Sequence, residues 1–224
     1  YLARIIMDND SWSNNSKKTV LTAYMDYDIA NNSGYFNTPG VLLTDAVIFA
    51  FGGAHLEMGD HMLCKEYFPN ANLQLKPDLQ QALPHYYDFL TGYENLLRDG
   101  GSFNVPDIIS ADGKISLNNW PPKNGSISVI GKDMGGRQVI HLINFAKASS
   151  FDWRDRNGTQ TMPETFRNIS FILNTTKKII KLWMASPDLN GGVLQEIPFT
   201  PSGNAISFTL PSLQYWDMVV AEYE

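Results

Sequence analysis

The run Ala46-Val47-Ile48-Phe49-Ala50-Phe51, closed by Gly52-Gly53, restricts the fold more than any other part of the chain. Consecutive apolar residues leave no polar face, so the segment must be covered on all sides. It predicts a strand buried on both faces, as in a parallel sheet, that stops at the two glycines. Upstream, Thr19-Val20-Leu21-Thr22-Ala23-Tyr24-Met25 is β-branched and aromatic and predicts a second buried strand. A polar loop spans Asp26 to Asn37, and Thr38-Pro39 then opens a short helix over Val41 to Asp45. The N-terminal Tyr1 to Met7 resembles the end of a helix already under way.

Pro77 to Arg98 carries the clearest helical period. Leu79, Leu83, Tyr86, Tyr87, Leu90, Tyr93, Glu94 and Leu97 recur every three or four residues. Pro84 inside this run predicts a kink or a break, and Gly100-Gly101 ends it. Strand, loop and helix in repetition is the rhythm of a βα protein. After Gly101 the pattern changes to short, often alternating apolar runs: Ser126–Gly131, Gln138–Phe145, Ile169–Leu173, Lys178–Trp183, Gly192–Phe199, Ala205–Leu210 and Tyr215–Tyr223. Gly, Pro, Asn or Asp separates them. This predicts an antiparallel β-sandwich of Greek-key type, and the expected division is residues 1–103 and 104–224.

Composition narrows the function classes. A net charge of -6 without a dense run of Lys or Arg makes nucleic acid a poor partner, because phosphate contacts need clustered cations. A neutral polysaccharide sets no such requirement. The one cysteine, Cys64, excludes an intramolecular disulfide and a Cys-only zinc site, and is expected to be a small buried residue. No stretch is apolar for the eighteen or so residues that a membrane span needs. The several Asn-x-Ser/Thr triplets, such as Asn124-Gly125-Ser126, matter only where the source glycosylates them.

Two segments hold candidate chemistry. In a βα-barrel, functional side chains sit at the C-terminal ends of strands. Tyr24-Met25-Asp26-Tyr27-Asp28 is one such end; an aromatic ring packs on the apolar face of a sugar while a carboxylate accepts from its hydroxyls. Gly52-Gly53-Ala54-His55-Leu56-Glu57-Met58-Gly59-Asp60 is the other. If the backbone stays extended there, His55 and Glu57 project to the same side. Three readings stay open for His55, Glu57 and Asp60: hydrogen bonding to sugar hydroxyls, a network that holds the loop, and a metal site. The zinc-deaminase pattern fails because Cys64 stands alone. No HExxH pair, Gly-x-Ser-x-Gly elbow, phosphate loop or dinucleotide fingerprint is present.

The run Ala46 to Asp60 resembles the eighth-strand region of glycoside hydrolase family 66, the family of dextranases and cycloisomaltooligosaccharide glucanotransferases. Met62-Leu63-Cys64-Lys65-Glu66-Tyr67-Phe68-Pro69-Asn70 and Tyr86 to Arg98 resemble it as well. The resemblance is strong over residues 19–100 and weaker over the β half. It implies the C-terminal part of a (β/α)8 barrel followed by the sandwich. It also implies cleavage of internal α-1,6 links in dextran with retention of configuration, by an Asp nucleophile and a Glu acid/base.

The family places both catalytic carboxylates on earlier barrel strands, so they are expected upstream of Tyr1 and no catalytic residue is assigned. His55, Glu57 and Asp60, followed by Tyr24 and Asp26, are assigned to substrate binding. The resemblance implies no cofactor and no metal. It implies an α-glucan or isomaltooligosaccharide substrate, an extracellular or cell-envelope parent, and a missing N-terminal part without which this piece is inactive. The competing reading is a noncatalytic carbohydrate-binding or structural β-sandwich module, with Trp120, Trp153, Trp183 and Trp216 as a candidate sugar platform.

Overall fold

The computed structural model describes residues 1–22, 24–56, 64–65 and 70–224. The chain forms two compact units: Tyr1–Asp99 together with Ala148–Met162, and Gly100–Lys147 together with Pro163–Glu224. Sheet dominates, helices are few, and the described residues form no closed barrel.

In the first unit, α1 (Leu2–Trp12) precedes β1 (Val20–Leu21), and β2 (Gly34–Tyr35) precedes α2 (Thr38–Ala50). Then follow β3 (Ala54–His55), β4 (Leu73–Gln74), α3 (Pro77–Gly92) and α4 (Glu94–Leu97). Strand β3 pairs in parallel with β1, Val20 opposite Ala54 and Leu21 opposite His55. Strand β4 pairs in parallel with β2.

Several expectations need correction. Ala46–Phe51 is not a strand. Residues 46–50 are the second half of α2, which absorbs the short helix expected over Val41–Asp45. Every residue of α2 is buried. A helix covered all round needs no polar stripe, so its period vanishes from the sequence and the run mimics a strand. The strand proper comes after the glycines. Gly52 adopts φ +83 and turns the chain from α2 into β3; a Cβ there would lie 2.7 Å from the Leu97 carbonyl oxygen. The strand expected over Thr19–Met25 shrinks to Val20–Leu21.

Helix α3 runs through Pro84. Pro84 and Gln80 both lie on its exposed side, so the carbonyl left without an N–H donor can turn to water. The expected long helix ends at Gly92, and α4 continues after Tyr93.

The second unit is antiparallel in all but one pairing. Its strands are β5 (Ser102–Asn104), β6 (Ile108–Ser110), β7 (Leu117–Asn119), β8 (Ile127–Asp133), β9 (Arg137–Asn144), β10 (Phe166–Asn174) and β11 (Ile179–Ala185). The last four are β12 (Gln195–Glu196), β13 (Phe199–Ser202), β14 (Ala205–Leu213) and β15 (Trp216–Tyr223). One sheet has the order β13-β14-β10-β6 and the other β12-β11-β15-β9-β8-β5, with β7 parallel to β8. Both contribute to one core. Phe171 and Phe208 from the first sheet stack at 5.5 Å, and Ile140, Leu142, Leu182 and Val219 come from the second. The run expected over Gly192–Phe199 is broken into β12 and the start of β13.

Candidate functional site

Parallel pairing of β1 with β3 decides where the candidate residues meet. Two parallel strands end at the same edge, so the segments that follow Leu21 and His55 leave the sheet side by side. Ala54 N–H donates to Thr19 O at 2.9 Å and Leu56 N–H to Leu21 O at 2.7 Å, which extends the ladder beyond the named strands. Tyr24 and Asp26 follow β1 in the chain, and His55 is the last residue of β3. Glu57 and Asp60 lie outside the described residues.

His55 is enclosed. Its Nδ1 lies 2.6 Å from Asp45 Oδ1, and both side chains are fully buried. Burial pushes the Asp45 carboxyl up, and the neighbouring imidazole pulls it back down. Asp45 Oδ2 has no hydrogen-bond partner among the described residues. The His55 carbonyl accepts a 2.7 Å hydrogen bond from the Tyr87 hydroxyl on α3. The strand end is therefore tied to the helix before it and to the helix after it.

Asp26 is also buried, at φ +54. Its Oδ2 accepts from Asn37 N–H at 3.0 Å, while Oδ1 has no partner among the described residues. Loss of water, with a further push from the Asp155 carboxylate, raises its pKa to about 7; the Asn37 N–H and Lys76 oppose this. Tyr24 is half-buried and Tyr27 lies under Lys65, whose ammonium is 5.0 Å from the ring centre.

The segment 148–162 completes this edge, and no local sequence signal announced it. Asp26 N–H donates to Arg154 O and Asp28 N–H to Arg156 O, both at 2.9 Å. Thr44 Oγ donates to Trp153 O at 2.5 Å. Asn37 Nδ2 donates to Asp155 Oδ2 at 2.7 Å and to Gln160 O at 2.8 Å. Asp155 Oδ1 accepts from Thr159 N–H at 2.8 Å and from Gln160 N–H at 3.1 Å. Asn37, Asp45 and Asp155 are the residues that sequence reasoning missed. Asp45 had a usable signal: an ionisable residue inside an apolar run needs a buried partner. Asn37 and Asp155 are 118 residues apart and had none.

Elsewhere, Cys64 is buried as expected, its Sγ 3.2 Å from Asn70 Oδ1. Trp183 and Trp216 are buried, Trp183 donating to Glu222 Oε1 at 2.9 Å and Trp216 to His141 Nδ1 at 3.2 Å, so they offer no open platform. Among the described residues no group of three or more His, Cys, Asp or Glu is placed to hold a metal ion. No helix among them is long and apolar enough to cross a membrane.

Parallel strand pairs with helices between them, followed by an antiparallel β unit, define an α/β-plus-β protein. The profile of glycosyl hydrolase family 66 matches residues 1–220, and the chain belongs to that family. It is 32% identical to a cycloisomaltooligosaccharide glucanotransferase of Niallia circulans over 94% of its own length and 24% of the relative's. It is 30% identical to a dextranase of Streptococcus salivarius over 48% of its length and 13% of that protein. The crystal structure of a Paenibacillus cycloisomaltooligosaccharide glucanotransferase complexed with cycloisomaltoheptaose superposes with a TM-score of 0.71. That match is 28% identical and covers 84% of this chain and 27% of that one. The chain thus spans about a quarter or less of the relatives it matches.

Proposed function

We propose that this chain is part of a retaining, endo-acting glycoside hydrolase that cleaves α-1,6-glucosidic links in dextran-like glucan. In this reading residues 1–103 are the C-terminal portion of a (β/α)8 catalytic barrel and residues 104–224 an antiparallel β-sandwich. The carboxylate pair that breaks the bond belongs to other parts of the polypeptide, and these residues alone are inactive. A polymeric glucan does not cross a membrane, which favours an extracellular or cell-envelope enzyme.

The observation that supports the reading is the parallel β1–β3 pair, because Tyr24 and Asp26 follow one of its strands and His55 ends the other. Substrate contact is assigned to Tyr24, Glu57 and Asp60. Asp26 and His55 serve the same site from beneath, because their buried side chains fix the segments that follow each strand. Membership of a family that includes dextranases and glucanotransferases supports a glucan substrate.

The test is an assay of the full-length enzyme for reducing ends released from dextran, with an α-1,4 glucan beside it. Inertness toward dextran, or preference for the α-1,4 polymer, rejects the substrate. Tyr24→Ala and Glu57→Gln should each raise KM on isomaltooligosaccharides by about tenfold, the loss of one or two sugar contacts. Unchanged kinetics would remove that residue from the site.

A further inference from the structure

One end of the second unit carries a groove that the candidate site of the first unit does not use. It has two lobes, of about 260 Å³ and about 250 Å³, on either side of the Thr175–Lys177 turn. The first lobe lies between the β5–β6 connection, the starts of β9 and β11, and the ends of β10 and β15. The second lies between the same turn and the β13–β14 turn. Two backbone hydrogen bonds of 2.8 Å fasten the walls: Asn174 N–H to Asp107 O, and Thr175 N–H to Asn204 O. The groove is therefore built by the sheet ends rather than by loose loops.

Its chemistry is largely that of uncharged, two-handed groups. Asn104 and Gln138 face each other as a reciprocal amide pair, at 2.8 and 2.9 Å. Asn174 and Asn204 are exposed at the margins of the two lobes. Amides both donate and accept, as sugar hydroxyls do. The cation of Lys177 is matched by Asp133 Oδ2 at 3.0 Å and sits 3.8 Å above the Tyr223 ring, and that of Lys178 is matched by Glu224 Oε1 at 3.0 Å, so no lining cation is left to attract an anion, which the Asp107 carboxylate would repel. Pro106, Ile179 and Pro201 supply apolar surface between these groups, which suits the CH face of a pyranose. Each lobe falls just below the range of roughly 300 Å³ upward that drug-sized ligands occupy, a size suited to single sugar units of a chain that crosses the turn.

We infer that this groove is a noncatalytic binding site for a neutral polysaccharide chain, placed on the β unit to hold the polymer; the choice of α-1,6-glucan as occupant rests on the proposed function. The probe is dextran. The full-length enzyme is run in native gels cast with and without it, and its retardation gives a dissociation constant. Two variants test the lobes separately: Asn104→Ala with Gln138→Ala, which removes both members of the amide pair together, and Asn204→Ala. Each should weaken dextran retention by about fivefold, the loss of one or two net hydrogen bonds, while kcat/KM on isomaltotetraose stays at the wild-type value. Thermal unfolding verifies that each variant is folded, and either one alone suffices. Retention equal to wild type in a folded variant overturns the inference. So does a wild-type enzyme that cleaves isomaltotetraose but is not retarded by dextran, a result that leaves the proposed activity standing. An enzyme retained by dextran through these residues that does not cleave it would instead reject the activity and keep the groove.

Discussion

Asp45 Oδ1 and His55 Nδ1 meet at 2.6 Å, with both side chains fully buried, and so tie the middle of α2 to the end of β3. The contact spans the Gly52 turn and fixes which way the imidazole faces. Removing one member takes a close buried contact from the other. Asp45→Ala should therefore destabilise the full-length enzyme by about 3–5 kcal/mol, a cost read from urea unfolding. Asp45→Asn keeps the shape and should lose less. A substitution to Ala that costs under about 1 kcal/mol would mean that the pair does not hold the strand end.

Asp26 predicts a pH dependence. Its carboxyl is raised to about 7 in the folded chain against an ordinary value of 3.8. The folded state then binds the proton more tightly than the unfolded state. The stabilisation is complete below the ordinary value and is lost as pH rises through about 7. Across that window stability should fall by up to about 1.4 kcal/mol per pH unit. Asp217 is buried and raised too, so the total slope includes it. The informative quantity is the difference between wild type and Asp26→Asn, followed by chemical unfolding from pH 4 to pH 8. Asn at this position can still accept from Asn37 N–H, so the variant should be the more stable protein at pH 8 and have a shallower slope. Parallel curves would place the Asp26 proton elsewhere.

Gly52 is required by its backbone and by its surroundings together. It sits at φ +83, and an added methyl carbon would stand 2.7 Å from the Leu97 carbonyl oxygen. The left-handed backbone alone costs a residue with a side chain roughly 1–2 kcal/mol, and the contact adds to it. Gly52→Ala should thus lower stability by about 2 kcal/mol or more, whereas Gly92→Ala, which meets nothing within 4 Å, should be neutral or slightly stabilising because Ala is the better helix former. Equal midpoints for the two variants in denaturant would defeat this account of the turn.

The sequence was most informative where turn residues punctuate it. Strands β8, β9, β14 and β15 fell near their expected places because short runs between Gly, Asn and Pro mark sheet hairpins whatever they pack on. It misled at α2, a helix with no exposed residue, where only the length of the apolar stretch and its Asn37-Thr38-Pro39 start separate it from a strand. Tyr24 and Asp26 were named from the apolar run that contains β1, whereas the run that pointed to His55 is α2, and His55 itself ends β3. Their supports could be named only in part: an ionisable Asp45 in an apolar run signals a buried partner without saying which. Asp45 is ten residues from His55 across a turn, and Asp155 reaches Asn37 through a return of the chain from beyond β9. Pairings of that kind depend on tertiary contacts that local propensity does not encode.

That return yields the last prediction. Segment 148–162 is held to the first unit by backbone bonds at Asp26 and Asp28 and by the side chain of Asn37, whose amide bonds both Asp155 and Gln160. Asn37→Ala removes both side-chain bonds at once. The Asp155 carboxylate keeps its Thr159 and Gln160 donors, so its own turn should survive. The segment should then open more often without the unit unfolding. Arg154 and Arg156 lie in its centre, Arg156 exposed, and both are sites for trypsin. Two hydrogen bonds of ordinary net strength amount to about 1–3 kcal/mol, so cleavage in this segment should speed up by roughly 5- to 150-fold when opening limits access. Mass spectrometry of a tryptic time course locates the cut. Cleavage at Arg154 and Arg156 as slow as in wild type would show that the backbone bonds at Asp26 and Asp28 hold the segment without Asn37.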